Sequence, residues 1–473
     1  ARLIVAGHAA LADHLARQPL ADLFLDTVPV NAHTTASDAL WMGLPVLTCA
    51  GRSFAARVAG SLLHAVGLPE LADQFCRALQ QQLGSLATDA AGTEFQVTGY
   101  LMDARERFQD AGVLPDGDFV IRHGRHRGYQ FWMANQPSDY YRRHLLLHEF
   151  VHCYLMCEYG LRDIPPLWYT EGIAEVLATH RLEPLEFGIL PDQLNGFEGW
   201  GRITELRKRP ADNPPDDAEG LLLSDVLNPQ SRIFLSDLRY AQAWGLVWLL
   251  RNHPELQRPF AGLARVRTRA QFDAVTAGIT PAQLQRLAIV WQLMLDSWDE
   301  GFDVERSFPP LSPQWQAWSE LSSAKQEVEV LADRGWQPGG VWFRDAVRLR
   351  LTATGQCVVQ PAQGSRARVW ESEPAGITID YAQGRPLGEL QVLLVKREPQ
   401  SLPQRVSVGP GSELSVAAGS ELWLRINDFE GQRSERLFIT GMTLHWLFRL
   451  SIDARDCRNI HRGWQIIYDG IQH

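Results

Sequence analysis

At 473 residues the chain should hold about three domains, taking ~150 residues per domain. Hydrophobic residues at 45% and charged residues at 21% exclude wholesale disorder. A net charge of −10 argues against a non-specific nucleic-acid binder, which needs a basic face, and no run reaches the ~18 apolar residues of a membrane span.

Residues 1–72 read as α/β. The apolar run Leu3-Ile4-Val5 opens the chain, with no signal peptide before it, as though cut from something longer. Leu23-Phe24-Leu25 suits a buried strand, and residues 28–35 a loop ending in hydroxyl residues. Residues 37–42 begin a helix, 45–48 form a second strand, and 54–66 an amphipathic helix stopped by Gly67. The stretch His33-Thr34-Thr35, with Asp38 just beyond, sits where a strand hands over to a helix. Free N–H groups and the helix dipole there favour an anion.

Residues 73–310 are mostly helical around short strands. Strands are expected over 94–102 and 129–134, and helices over 103–110, 142–159, 167–180, 237–253, 271–277 and 281–299. Residues 212–219, with two prolines and four acidic residues, make a loop. On the 142–159 helix lies His148-Glu149-Phe150-Val151-His152, an H-E-x-x-H. Its histidines are one helical turn apart and share a face, half of a tetrahedral Zn2+ shell, with Glu149 beside them as a base for metal-bound water. After eighteen intervening residues comes Glu171, inside Trp168-Tyr169-Thr170-Glu171-Gly172-Ile173-Ala174-Glu175 and just past the helix-breaking Pro165-Pro166. Glu171 is the expected third ligand, and Glu175, one turn on, the partner that orients a zinc histidine. Cys153 and Cys157 on the same helix read as small buried apolar groups. The six cysteines form no C-x-x-C pair, which leans towards a reducing compartment and a cytoplasmic location.

Residues 311–332 read as a linker. From 333 to 441 the period changes to two, with Val347, Leu349 and Leu351 alternating with Arg348 and Arg350, and Leu422, Leu424 and Ile426 with Trp423 and Arg425. That is the pattern of an antiparallel β-sandwich. Residues 442–473 carry no assignable pattern.

Three resemblances attach to these motifs. Residues 2–72 resemble the O-GlcNAc transferase (SPINDLY-type) glycosyltransferases through Leu20-Ala21-Asp22 to Thr27, His33-Thr34-Thr35 with Asp38, Leu40-Trp41-x-Gly43-x-Pro45 and Ala56-Arg57-Val58-Ala59. The resemblance implies a diphosphate held by His33, Thr34 and Thr35, and a ribose by Asp38. It covers only the end of one lobe, so a remnant without transfer activity is expected. H-E-x-x-H-x18-E with W-x-x-E-G-x-A-E resembles the gluzincin metallopeptidases over residues 95–300. This implies a thermolysin-like α+β domain with Zn2+ on His148, His152 and Glu171, Glu149 as base, and an oxyanion donor downstream. Tyr240 is the best placed donor, with Tyr129, Tyr140 and Tyr141 as rivals. The G-x-M-E-N stretch of the aminopeptidases is missing; Trp132-Met133-Ala134-Asn135 has no glutamate, so an endopeptidase-like or undefined specificity is expected. Residues 333–440 resemble the galactose-binding-like fold of bacterial lectins through Trp336-x-x-Gly339-Gly340-Val341, Gly384-Arg385-Pro386-Leu387-Gly388 and Leu422 to Asp428. The loop after Asp428 has too few hard oxygen ligands for calcium.

The expectation is a multidomain chain with a partial Rossmann-like segment, a gluzincin-like domain and a β-sandwich. Its expected function is a zinc-dependent hydrolase of peptide or protein substrates. The alternative is a non-catalytic protein whose sandwich binds glycan or protein and whose zinc site is structural or inactive.

Overall fold

The computed structural model describes residues 7–83, 97–188, 222–298 and 302–429 apart from short gaps, together with Arg202, Glu205, Leu206, 447–455, 467–468 and 471–472. The chain divides into two compact units, residues 1–95 and 96–473. The boundary expected at residue 72 falls inside a helix.

In the first unit, α1 (Leu11–Ala16) precedes a minimal βαβ turn: β1 (Phe24–Leu25), α2 (Thr34–Trp41) and β2 (Val46–Leu47), with the strands parallel as a helical crossover requires. α2 buries Ala36 and Ala39. α3 (Val58–Leu83) runs through Gly67 instead of stopping there. Leu71, Phe75, Leu79 and Leu83, spaced one turn apart, are all buried. That stripe offsets the ~1 kcal/mol that a glycine costs in a helix interior.

The second unit opens with a three-stranded sheet. β3 (Thr98–Met102) and β4 (Gly124–Arg127) flank β5 (Gln130–Ala134), parallel and antiparallel to it respectively, with α4 (Arg105–Asp110) between β3 and β4 in the chain. Next come α5 (Asp139–Met156), α6 (Leu167–Ala178), the hairpin β6 (His180–Leu182) and β7 (Leu185–Phe187), and α7 (Leu223–Leu227). The helices α8 (Asp237–Asn252), α9 (Arg269–Thr276) and α10 (Pro281–Ser297) complete this part. α5 starts three residues earlier than expected because the Ser138 hydroxyl accepts from Tyr141 N at 3.2 Å and satisfies a first-turn donor. α8 is capped by Ser236, and α9 and α10 carry full capping boxes from Thr268 with Gln271 and Thr280 with Gln283. Gly172 lets α6 meet α8: a Cβ there would lie 2.3 Å from the Ala243 carbonyl oxygen.

Two larger sheets follow and share one apolar core. One is ordered β14 (Ala375–Ala382), β15 (Arg385–Lys396), β18 (Ser420–Ile426), β10 (Gln337–Phe343), β8 (Gln316–Trp318), with β16 (Gln404–Ser407) also on β15. The other is β17 (Gly411–Val416), β11 (Val347–Gly355), β19 (Leu447–Arg455), β9 (Ala324–Leu331). Val341, Phe343, Leu390, Leu422 and Leu424 from the first meet Val330, Leu349, Leu351 and Val416 from the second. The span expected as a linker supplies β8 and β9, and the unassigned tail supplies β19, which pairs with both β11 and β9. Strand order, a long-range property, overrides the local composition that suggested a linker. α10 packs on the first sheet through Ile289 and Leu293 against Trp336, Leu393 and Trp423, and Asp296 accepts from the Trp336 indole at 3.0 Å. The acidic stretch 212–219, Cys157 and the loop 430–436 lie outside the described residues. No helix among the described residues is long and apolar enough to cross a membrane.

Candidate functional site

Three helices and one strand converge on the H-E-x-x-H. His148 and His152, one turn apart on α5, bring their Nε2 atoms to 3.1 Å from each other. Glu171, in the second turn of α6, places Oε2 at 3.2 Å from both. The three atoms form a near-equilateral triangle, and these residues are the group among the described residues whose ligand atoms are close enough together to hold a metal ion. Ligands on a tetrahedral zinc at ~2.0–2.1 Å stand about 3.3 Å apart, so the triangle already has the edge length of such a shell.

Glu175 is buried and backs the ligands. Its Oε1 lies 3.3 Å from His148 Nδ1 and its Oε2 3.2 Å from His144 Nε2. Arg202 donates to both oxygens, Nη2 at 2.7 Å and Nε at 2.9 Å. Burial opposes charge on His148, but Glu171 and Glu175 outweigh it and push its pKa up to about 10. Burial would raise Glu171, yet His152 and His148 hold it well below the carboxylate range. Glu175 is likewise lowered, against burial, by Arg202, His144 and His148.

Glu149 is 4% exposed and its carboxylate reaches β4. A Cβ on Gly124 would meet its Oε1 at 2.3 Å, so any side chain there would displace the carboxylate. His126, two residues along the same strand, has Nδ1 3.7 Å from Glu149 Oε2 and stacks on His152, with ring centroids 4.7 Å apart and planes at 21°. Tyr240, from the first turn of α8, stands edge-on to His148 at 6.3 Å between centroids, under the Arg202 guanidinium at 5.2 Å. Burial and the nearby Glu171 push its phenol pKa up. A cavity of about 340 Å³ opens in front of His148 and Glu149, lined also by Tyr141, Glu175, Arg202 and Tyr240. Of the rival tyrosines, Tyr140 is buried and stacked on His180 at 4.7 Å, and Tyr129 is 46% exposed.

The structure thus brings His148, Glu149, His152, Glu171, Glu175 and Tyr240 together. His126, Gly124 and Arg202 escaped the sequence reading because they lie outside the motif. Only the alternation in Gly124-Arg125-His126-Arg127 could have pointed to a strand presenting a histidine.

The other candidate residues lie in the first unit. His33 occupies the N-cap position of α2 without a side-chain cap, and Thr34 and Thr35 form the first turn. Asp38 Oδ2 is 3.8 Å from His14 Nε2. Asp26, at the end of β1, accepts from Ala32 N at 2.6 Å, Thr27 N at 2.7 Å and the Thr48 hydroxyl at 2.5 Å. It folds the connecting loop back towards β2.

Comparison with known proteins bears on this first unit. Residues 1–100 match the description of glycosyl transferase family 41. A UDP-N-acetylglucosamine–peptide N-acetylglucosaminyltransferase of Caenorhabditis elegans is 47% identical over 70 residues, 15% of this chain and 6% of that protein. The SEC protein of Arabidopsis thaliana, which carries the same enzyme name, is 50% identical over 56 residues, 12% of this chain and 6% of its own length. The SPINDLY protein of the same plant is 44% identical over 109 residues, 23% of this chain and 12% of its own. The chain therefore spans about a tenth or less of the relatives it matches. No solved structure matches it. These findings correct the expected function. The matching family and relatives are glycosyltransferases, which overturns the zinc-dependent peptide hydrolase, with its metallopeptidase assignment, and gives the alternative of a non-catalytic sandwich no support. Residues 1–100 match glycosyl transferase family 41, of the O-GlcNAc transferase (SPINDLY) type.

Proposed function

We propose that residues 1–100 serve a family 41 glycosyltransferase function as a nucleotide-binding segment. The start of α2 takes the diphosphate of a uridine nucleotide sugar, and the acceptor is a peptide or protein. The observation that carries this reading is the family match falling on a βαβ turn whose helix begins at Thr34, with His33 at its N-cap. Main-chain N–H groups in a first turn, aligned with the helix dipole, attract an anion. His33, Thr34 and Thr35 would contact the diphosphate, and Asp38 the ribose. Calorimetric titration with UDP tests this. The expected dissociation constant is on the order of 1 mM, typical of a small open site, and it should rise further in a His33→Ala/Thr34→Ala variant. No heat from UDP up to ~10 mM would overturn the assignment.

A separate observation supports a bound zinc ion in the second unit: the equilateral triangle of His148 Nε2, His152 Nε2 and Glu171 Oε2. The donor set fits. Two imidazoles and a carboxylate suit Zn2+, and three close carboxylates (Glu149 and Glu175 buried, Glu171 partly exposed) against the one guanidinium of Arg202 give a negative setting that suits a dication. Zinc bound there supplies Lewis acidity at a position facing the cavity. The protein's own part is to tie α5 to α6 through the three ligands and to orient His148 through Glu175. Elemental analysis after zinc reconstitution should find one ion per chain.

A further inference from the structure

β4 runs along the metal cluster, and its alternation decides what it presents. Gly124 and His126 face α5, while Arg125 and Arg127 take the other side of the strand. Gly124 brings backbone against the Glu149 carboxylate. His126 lays its ring on His152, 4.7 Å between centroids and 21° from parallel. His126 does not share the ion. Ring nitrogens present their lone pairs in the ring plane, and two rings stacked face to face cannot aim them at one point. Its Nδ1, 3.7 Å from Glu149 Oε2, is beyond hydrogen-bond length, so the contact there is electrostatic.

His152 has little else to set its ring orientation. Its Nε2 faces His148 and Glu171, and its Nδ1 is buried without a hydrogen-bond partner. His148 Nδ1 likewise has no hydrogen bond, but it faces a carboxylate, with Glu175 Oε1 at 3.3 Å. A metal-binding histidine ordinarily has its second nitrogen held by a carboxylate or carbonyl, which fixes the ring. We propose that His126 is the positioning residue for His152, replacing the missing hydrogen bond by face-to-face stacking from β4. The two histidines are therefore oriented by different means, one by a facing carboxylate and the other by an aromatic plate. This inference rests on the zinc reading above and deepens it.

Zinc competition titrations and cobalt(II) visible spectra of the full chain would test it in wild type, His126→Gln and His126→Phe. Glutamine keeps a polar group near Glu149 but has no ring; phenylalanine keeps the plate and loses both nitrogens. His126→Gln should weaken zinc by ~10–100-fold, the usual cost of losing an orienting partner, and alter the cobalt d–d bands. His126→Phe should stay within ~3-fold of wild type with an unchanged spectrum, since ring stacking survives. Equal losses in the two variants, or wild-type affinity and spectrum in His126→Gln, would overturn the positioning role alone. A wild type that binds neither zinc nor cobalt would overturn the zinc reading itself.

Discussion

The first unit and the α5–α6–α8 site differ in how recognisable they are and in how completely they are built. Residues 1–100 have clear relatives, yet their candidate residues sit on an open βαβ turn. There Leu25 and Leu47, paired across β1 and β2, are 68% and 59% exposed, and Trp41 is 84% exposed. The His148–His152–Glu171 cluster lies outside the family match, yet its two histidines are buried, its three atoms are spaced as one ion would need, and Glu175 and Arg202 back it. Sequence similarity reports shared descent, whereas burial and convergence of polar groups report local chemistry. In this chain the two point to different places.

The largest expected effect removes the better-built site. A His148→Ala/His152→Ala double variant should lose stoichiometric zinc entirely while UDP binding stays unchanged, as read by elemental analysis and calorimetry. Zinc retained in full would break the comparison, because the cluster would then be a packed polar core without a metal. Next is Arg202→Ala, which strands Glu175 without its cation. Breaking a buried pair costs ~3–5 kcal/mol, and the partial exposure of Arg202 puts the loss near the lower end, about 3 kcal/mol in urea unfolding. A loss under ~1 kcal/mol would mean that the network is as loosely held as a surface pair.

A pH test sharpens the same contrast. His180 donates through Nδ1 to the Ala178 carbonyl at 2.9 Å and accepts from Arg143 Nε at 3.2 Å, so the buried ring is held neutral. Burial is the main cause, and its pKa falls to about 4 from an ordinary 6.5. The unfolded chain then takes up this proton before the folded one does. Stability is full above pH ~6.5 and falls as pH drops towards 4, by ~2 kcal/mol at pH 5. Unfolding of wild type and His180→Gln at pH 7.5 and 5 should show that much less pH dependence in the variant. The smallest effect is expected in the first unit, where Trp41→Ser should change stability by no more than ~0.5 kcal/mol. A loss of ~2 kcal/mol or more would show that this exposed face is covered by something in solution.

Much of the local order was legible in the chain itself. The H-E-x-x-H had to fall on a helix because Leu145 to Leu155 is apolar at helical spacing, and one turn between His148 and His152 puts both rings on one face. Pro165-Pro166 set the start of α6, which is why the approach of Glu171 to both histidines was foreseeable. The alternation at Val347 to Leu351 likewise announced β11. Gly67 misled because a glycine's helix penalty is small beside a buried stripe that begins only at Leu71.

What only the tertiary structure decided is long-range. β19 is inserted between β11 and β9 from a tail with no legible pattern, because strand pairing is chosen by partners far away in the chain. Arg202, 27 residues beyond Glu175, and His126, 26 before His152, reach the cluster through a helix and a strand that no motif links to α5. The chain's local spacing determined which side chains share a turn of helix. Packing alone determined which distant charge neutralises Glu175 and which ring lies on His152, since a buried carboxylate must find a cation and a buried imidazole a neighbour wherever the fold supplies one.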